Sequence, residues 1–288
     1  MTRLDVLVVT YKSRETIGDL IRSLALLNNS FIVRLAIHDN SMDEELVKDA
    51  HLLSRSVGIE MTGSICQENC GFSRACNSLA TASDADWLLF LNPDARISIW
   101  PEQWHPDRGI WGAQIVNQSG IPETSFGRTR TVRSEMLTLY GRRVQPPPDG
   151  RGYVSGAALL IDRASFEALG GFDERFFMYY EDIDLGLRAG KAGVAVNLCS
   201  NWVVAHTGGH SARESHRAAM IRSYRSAREF HRKYRHPWRS YSVGFGLYAG
   251  IKSGVSILYP PWRADAAGLA KVARTALADA ASGRRSDT

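Results

Sequence analysis

The sequence predicts an α/β protein: a Rossmann-like, mostly parallel sheet flanked by helices, with a helical C-terminal extension. Two observations carry this. Short β-rich apolar runs alternate with helix-spaced stretches through the first hundred residues, with connections that suit parallel strands. Past residue 211 the composition turns basic, then apolar, then alanine-rich. The expected division is a sheet domain over 1–211 and a basic, amphipathic helical extension over 212–288.

"LDVLVVT" (4–10) is the first strand, and Glu15–Leu27 has helical spacing through Ile17, Leu20, Ile21, Leu24 and Leu27. "VRLAIHDN" (33–40) is the second strand, with a helix near 43–56. "IEMTGSI" (59–65) is the third, followed by "FSRACNSLATA" as helix, and "DWLLFLN" (86–92) is the fourth. Sites in such sheets lie outside the C-terminal strand ends, which selects Thr10–Tyr11, Asp39–Asn40 and Asn92–Asp94. "GIWGAQIVN" (109–117) is a further strand, and 118–150, polar and ending in "QPPPDG", is expected to be a mobile or acceptor-facing insertion. "YVSGAALLI" (153–161) restores a buried strand, and "DRASFEAL" is a short helix stopped at Gly170–Gly171. A helix over Glu181–Ala192 and one or two strands in "VAVNLCSNWVVAH" (194–206) complete the domain.

A chain of 288 residues with 44% hydrophobic and 23% charged content can bury a sizeable core. The first strand begins directly after the start, so no signal peptide is expected, and the four cysteines read as reduced thiols in a cytoplasmic protein. Cys66, Cys70 and Cys76 lie close enough in sequence to raise zinc. No pair has CxxC spacing, however, and Cys76 falls on an inward helix face, so packed thiols are the reading. There is no GxGxxG after the first strand and no GxxxxGK[ST], so neither a dinucleotide fold nor a P-loop is supported. "TYKSRETIG" also lacks the glycine-rich basic loop of a sugar-1-phosphate nucleotidyltransferase.

The net charge of +5 is uneven: nine Arg or Lys stand between Arg213 and Arg239, against Glu214 and Glu229. Such a run is either a solvated helix face or a site for an anionic partner. Nucleic acid is not expected, because no recognised nucleic-acid fold or aromatic platform accompanies it. The next stretch, 241–262, carries one charge, Lys252. Its helical part, 243–259, barely reaches the roughly 20 residues that span a bilayer, and Pro260–Pro261 closes it. Gly246, Gly250 and Gly254 allow close helix contact, while Trp238, Tyr241, Tyr248, Tyr259 and Trp262 suit a lipid interface. An in-plane amphipathic segment or a homodimer contact is expected rather than a spanning helix.

Four features carry chemistry. Asp39 at a strand end can accept from the N3–H of a pyrimidine base or cap the next helix. Asp94 after Pro93 is either an ordinary turn residue or a hard oxygen ligand for Mg²⁺ or Mn²⁺ on a diphosphate. Glu174, Glu181, Asp182 and Asp184 lie among Phe176, Phe177, Tyr179 and Tyr180. Desolvation there would raise a carboxyl towards general-base values, although three of these acids would also suit a helix N-terminus. His206 is a metal ligand or a structural histidine.

In this order the stretches "VVTYKS" (8–13), "DNS" (39–41), "NCGFSRACN" (69–77), "LNPDA" (91–95), "VSGAALLIDR" (154–163), "GGFDERFFMYYEDIDLGLRAGKAG" (170–193) and "AHTGGHS" (205–211) resemble the inverting glycosyltransferases of family 2, with the GT-A fold. The Asn-Cys-Gly-Phe and Glu-Asp-x-Asp stretches are most similar to the rhamnosyltransferase branch. The resemblance implies that Asp39 reads the base beside Thr10 and Tyr11. It assigns Asn69, Gly71, Phe72, Asn92, Gly156 and Glu181 to the nucleotide-sugar pocket, with Asn77 bracing the loop. Asp94 corresponds to the last acid of the Asp-x-Asp metal motif, His206 to a position near the metal, and Asp182 to the catalytic base. The implied donor is dTDP-L-rhamnose or a UDP-sugar, and the acceptor a cell-surface or lipid-linked glycan at the cytoplasmic membrane face. The first motif position is Asn92 rather than Asp, which leaves one carboxylate there and keeps a non-catalytic carbohydrate- or nucleotide-binding module as the alternative.

Overall fold

The apolar runs do become strands, and apart from residues 152–154, which join a separate two-stranded sheet, they meet in one eight-stranded sheet. The computed structural model describes residues 2–27, 30–102, 104–128, 131–139, 152–206, 216–258 and 263–282. Strands β1 (Arg3–Thr10), β2 (Ile32–Asp39), β3 (Glu60–Ile65) and β4 (Trp87–Leu91) pair in parallel in the order β3-β2-β1-β4. Helices α1 (Ile17–Ser23), α2 (Glu44–Ser56) and α3 (Phe72–Thr81) connect them. β1 and β4 are buried almost throughout, as strands covered on both faces must be, whereas the edge strand β3 keeps one buried residue, Met61.

The other half of the sheet is mixed. β5 (Ala95–Ile99), unanticipated from the sequence, follows β4 after a four-residue turn. β6 (Ile110–Val116) and β10 (Val196–His206) are parallel to each other, and β5 runs antiparallel to β10. "YVSGAALLI" is two strands, not one: β8 (Gly152–Val154), paired with β7 (Phe126–Arg128), and β9 (Ala158–Asp162), inserted antiparallel between β4 and β6. Of the expected 118–150 insertion, β7 and α4 (Val132–Leu139) are regular, while "QPPPDG" lies outside the described residues. Asp162 caps α5 (Arg163–Ala168) through the Ser165 amide, and α6 spans Glu181–Ala192 as the spacing predicts.

Register decides which distant residues meet. Thr10 stands opposite Asp39 across β1 and β2, and His38 opposite Ser64 across β2 and β3. His206, the last residue of β10, stands opposite Ala95, the first of β5. That last pair is fixed from below by aromatic packing: Trp202 on β10 lies 5.3 Å from Trp100, which lies 5.1 Å from Trp104 and 5.9 Å from Phe31.

The chain forms two compact units. One comprises Met1–Thr129, Pro146–Phe177 and Glu181–Ser211; the other comprises Arg130–Gln145, Met178–Tyr180 and Ala212–Thr288. The second is helical: α4, α7 (His216–Lys233), α8 (Trp238–Leu258) and α9 (Arg263–Ser282). Within it, Tyr224, Phe230, Tyr241, Phe245, Val272 and Ala276 are buried. A Cβ on Gly246 would stand 2.8 Å from Leu277 of α9, so this glycine serves helix packing within the chain. Part of the basic run is also internal, since Arg228 pairs with Asp279 and Glu229, and Arg232 with Glu229. Among the described residues no helix is long and apolar enough to cross a membrane. Arg213, Tyr259, Pro260, Pro261 and Trp262 lie outside the described residues, as do 207–211 of "AHTGGHS".

Candidate active site

The site begins with the turn after β4. Ala95 N donates to the Asn92 carbonyl at 3.0 Å, closing a turn with Pro93 at its first central position. The turn and the metal-ligand readings of Asp94 are therefore compatible: the turn delivers the carboxylate. Because β5 and β10 are in register, His206 meets Asp94, with Nε2 3.2 Å from Oδ1, and Asn92 Nδ2 lies 3.4 Å from the same nitrogen. Burial alone would lower the His206 pKa, but the carboxylates of Asp94 and Glu123 outweigh it and raise the pKa above the ordinary imidazole value. Asp94 and His206 help to wall a cleft of about 360 Å³, shared with Glu15, Thr16, Asp19, Arg96 and Gln118. A hard divalent cation with bonds of about 2.0–2.1 Å has adjacent donors roughly 3 Å apart, and Asp94 and His206 fit that spacing.

The second group is the start of α6. Asp182 accepts from the Ile183 amide at 2.8 Å through Oδ1 and from the Gly156 amide at 3.0 Å through Oδ2. The next residue, Ala157, accepts from Asn92 N at 3.1 Å. Two consecutive residues, Gly156 and Ala157, thus hold the Asp182 carboxylate and the Asn92–Asp94 turn from one short piece of backbone. Glu181 points into the protein, and its Oε2 is buried without a hydrogen-bond partner. Burial first, then the negative charges of Asp182 and Asp184, pushes its pKa well above the carboxylate range, so the desolvation expected for this stretch falls on Glu181. Asp184 is enclosed and paired with Arg188 at 2.8 Å, and Arg188 also donates to the carbonyls of Leu169 and Gly171, a structural clamp. Immediately before α6, Tyr179 and Tyr180 both adopt φ of 71°, a left-handed conformation costly for aromatic residues.

The third group surrounds Asp39, which is fully buried. Its oxygens accept from Thr10 Oγ1 at 2.7 Å, Ser41 N at 2.9 Å, Ser41 Oγ at 2.9 Å and Asp43 N at 2.8 Å. The helix-capping alternative belongs instead to Asp43, which caps α2 through the Leu46 amide. Tyr11 and Lys12 follow at the rim, with the Lys12 amide donating to Ser41 Oγ at 3.1 Å. Asn40, selected with Asp39 by its place at the end of the second strand, joins this group to the next loop: its Nδ2 donates to the Gly71 carbonyl and its Oδ1 accepts from Cys70 N.

In that loop Asn69 Oδ1 accepts from Gly71 N at 3.0 Å. Gly71 has φ of 87°, and a Cβ there would stand 2.7 Å from the Phe177 carbonyl, so glycine is required. Phe72 is packed in the interior, 6.1 Å from Phe172, and supports the loop from beneath. Asn77 braces a different loop from its own: it donates to the Phe172 carbonyl at 2.8 Å and to Glu174, and accepts from Phe172 N.

No family model matches the chain. Among curated proteins it is 30% identical to the N-acetylglucosaminyl-diphospho-decaprenol L-rhamnosyltransferase of Mycobacterium tuberculosis, over 76% of this chain and 82% of that one. The chain belongs to glycosyltransferase family 2, on its rhamnosyltransferase-like side. A shorter match, 34% identical over 46% of this chain and 56% of the other, is to the rhamnosyltransferase WbbL of Escherichia coli. Among solved structures, a Pyrobaculum calidifontis mannosyltransferase in complex with GDP-Man and Mn²⁺ aligns with a TM-score of 0.59 at 14% identity, covering 99% of this chain and 88% of that one. That likeness establishes the GT-A fold.

The glycosyltransferase thus brings together Asp94, His206 and Asn92, and ties Asp182 to them through Gly156 and Ala157. Arg96 was missed because β5 was missed: its position in the Asp94 cleft follows from strand pairing that no local pattern announces.

Proposed function

We propose that the glycosyltransferase moves L-rhamnose from dTDP-L-rhamnose to a polyprenyl-diphosphate-linked N-acetylglucosamine by an inverting displacement. The observation that carries the mechanism is the shared anchorage of Asp182 and the Asn92–Asp94 turn on Gly156 and Ala157. Sugar and acceptor follow the printed name of the Mycobacterium tuberculosis relative. In this reading Asp182 takes the proton of the acceptor hydroxyl as that oxygen attacks the anomeric carbon. The bond to the diphosphate breaks on the opposite face, the leaving oxygen keeps the electron pair, and no covalent enzyme intermediate forms. Asp94 and His206 would hold Mg²⁺ or Mn²⁺, and the ion would supply positive charge against the departing diphosphate. Arg96, in the same cleft, supplies further positive charge. With Asn92 in place of a second acid, metal and nucleotide bind tightly only together.

The base is received at the edge formed by Tyr11, Asp39 and Asn69. Since Asp39 is enclosed, a base reaches its carboxylate after Ser41 Oγ swings aside; otherwise Asp39 shapes the edge without touching the base. Glu181, whose buried carboxyl resists ionisation, borders the sugar side. The helical unit supports work at the cytoplasmic membrane face. Along α8, Val243, Leu247 and Ile251 are 41%, 55% and 61% exposed at four-residue spacing, an apolar stripe suited to lying in a lipid surface.

The test is Asp182→Asn. Transfer should fall by about 10²–10⁴-fold while dTDP binding by calorimetry stays near wild type; near-normal turnover would remove Asp182 from the base role. Parallel titrations of dTDP-, UDP- and GDP-sugars with and without Mn²⁺ identify the donor, and preference for GDP-sugars would overturn the pyrimidine edge.

A further inference from the structure

Three metal-binding donors meet at one corner of the nucleotide edge, and the transfer reaction uses none of them. His38 precedes Asp39 at the end of β2, Cys66 follows β3, and Cys70 precedes Gly71. One donor atom from each lies within 4.8 Å of the others. Cys70 Sγ is 3.6 Å from His38 Nε2. A tetrahedral zinc ion, with Zn–S about 2.3 Å and Zn–N about 2.0–2.1 Å, sets its sulfur and nitrogen ligands about 3.6 Å apart. The pair already stands at that spacing.

The histidine is also oriented. Its Nδ1 lies 2.9 Å from Ser64 Oγ, its register partner, which turns Nε2 towards the sulfur as an outer partner does in zinc sites. Burial lowers its pKa, which favours the neutral form of the ring. The Cys70 thiol is different: burial first, then the Cys66 side chain, pushes its pKa up to about 11.

We propose that His38, Cys66 and Cys70 bind one zinc ion, with water in the fourth position. The ion clamps the ends of β2 and β3 to the loop carrying Asn69 and Gly71. Cys66 N already donates to the Asp39 carbonyl at 3.0 Å and Cys70 N to Asn40 Oδ1 at 3.3 Å, so the clamp stiffens the edge assigned to the base. Two thiolates and an imidazole select zinc over the oxygen-seeking Mg²⁺ or Mn²⁺, which keeps this site separate from Asp94 and His206.

The experiment uses the full chain, loaded with Zn²⁺, dialysed against excess Mg²⁺ and analysed for metal by mass spectrometry, with Co²⁺ as a spectroscopic substitute. About one zinc per chain should remain, and the cobalt form should show a thiolate-to-metal charge-transfer band. Cys66→Ser and Cys70→Ser should each lose the band with an unchanged circular dichroism spectrum. Ser64→Ala, which touches no ligand sulfur, should weaken zinc about 10–100-fold while folding normally. A folded wild type that retains no stoichiometric zinc overturns the proposal, as does equal zinc in the cysteine variants. A Cys66–Cys70 disulfide found by peptide mapping in zinc-free protein also overturns it. None of these readouts depends on sugar transfer.

Discussion

Asp39 ends β2 and Asp94 follows β4, the strands on either side of β1, yet the two acids are set up for different work. Asp39 is wholly enclosed and bonded to Thr10, Ser41 and Asp43, neighbours by sequence or by strand register. Asp94 sits on a cleft and meets His206, brought from far along the chain by the β5–β10 pairing. A strand-end carboxylate saturated by its own turn is a scaffold. One that meets an imidazole beside open space can exchange that partner for a cation.

The largest expected effect is at Asp94. Asp94→Asn should reduce metal-supported transfer by about 10²–10³-fold and abolish the Mn²⁺ dependence of nucleotide binding, with little change in melting temperature. A large loss of stability with metal response intact would make Asp94 the scaffold and dissolve the contrast. Asp39→Ala should do the reverse and leave buried donors unmatched. Each costs about 1–3 kcal/mol, read as a lower denaturant midpoint. If stability were unchanged while dTDP affinity collapsed, Asp39 would be a recognition group first.

Glu181→Gln sharpens the point from the other side, because Glu181 buries one carboxyl oxygen, Oε2, with no hydrogen-bond partner. Its folded pKa is raised, so its stabilising share is complete below the unfolded value of about 4.3 and fades as pH rises towards the folded pKa. The variant should therefore gain stability over wild type with rising pH, by at most about 1.4 kcal/mol per pH unit, in unfolding curves at several pH values. A parallel pH dependence in the two proteins would mean that Glu181 is ionised in place. The smallest effect on the fold is expected on α8. Leu247→Glu and Ile251→Glu should move stability by no more than about 0.5 kcal/mol yet abolish sedimentation with anionic lipid vesicles; undiminished sedimentation would remove the stripe from membrane contact.

Much of the parallel half was legible because its signals are local: alternation of periods, and a proline turn where β4 ends. The mixed half was less so. β9 reads as another buried strand whichever way it runs, and Ala95–Ile99 is too short and too polar on its exposed positions to declare itself. Asn77 shows the same limit. The resemblance implied that it braces the Asn69–Phe72 loop, but from α3 it holds the backbone of Phe172 instead.

By itself the sequence determined the order of elements in the parallel half, the family, and which acids end which strands, because these depend on neighbours along the chain. Only the tertiary structure decided that His206 meets Asp94, that Gly156 holds Asp182, that Glu181 is the buried acid, and that His38 joins Cys66 and Cys70. Those pairings depend on strand register and on what each side chain finds across the sheet, and neither is written in local periodicity.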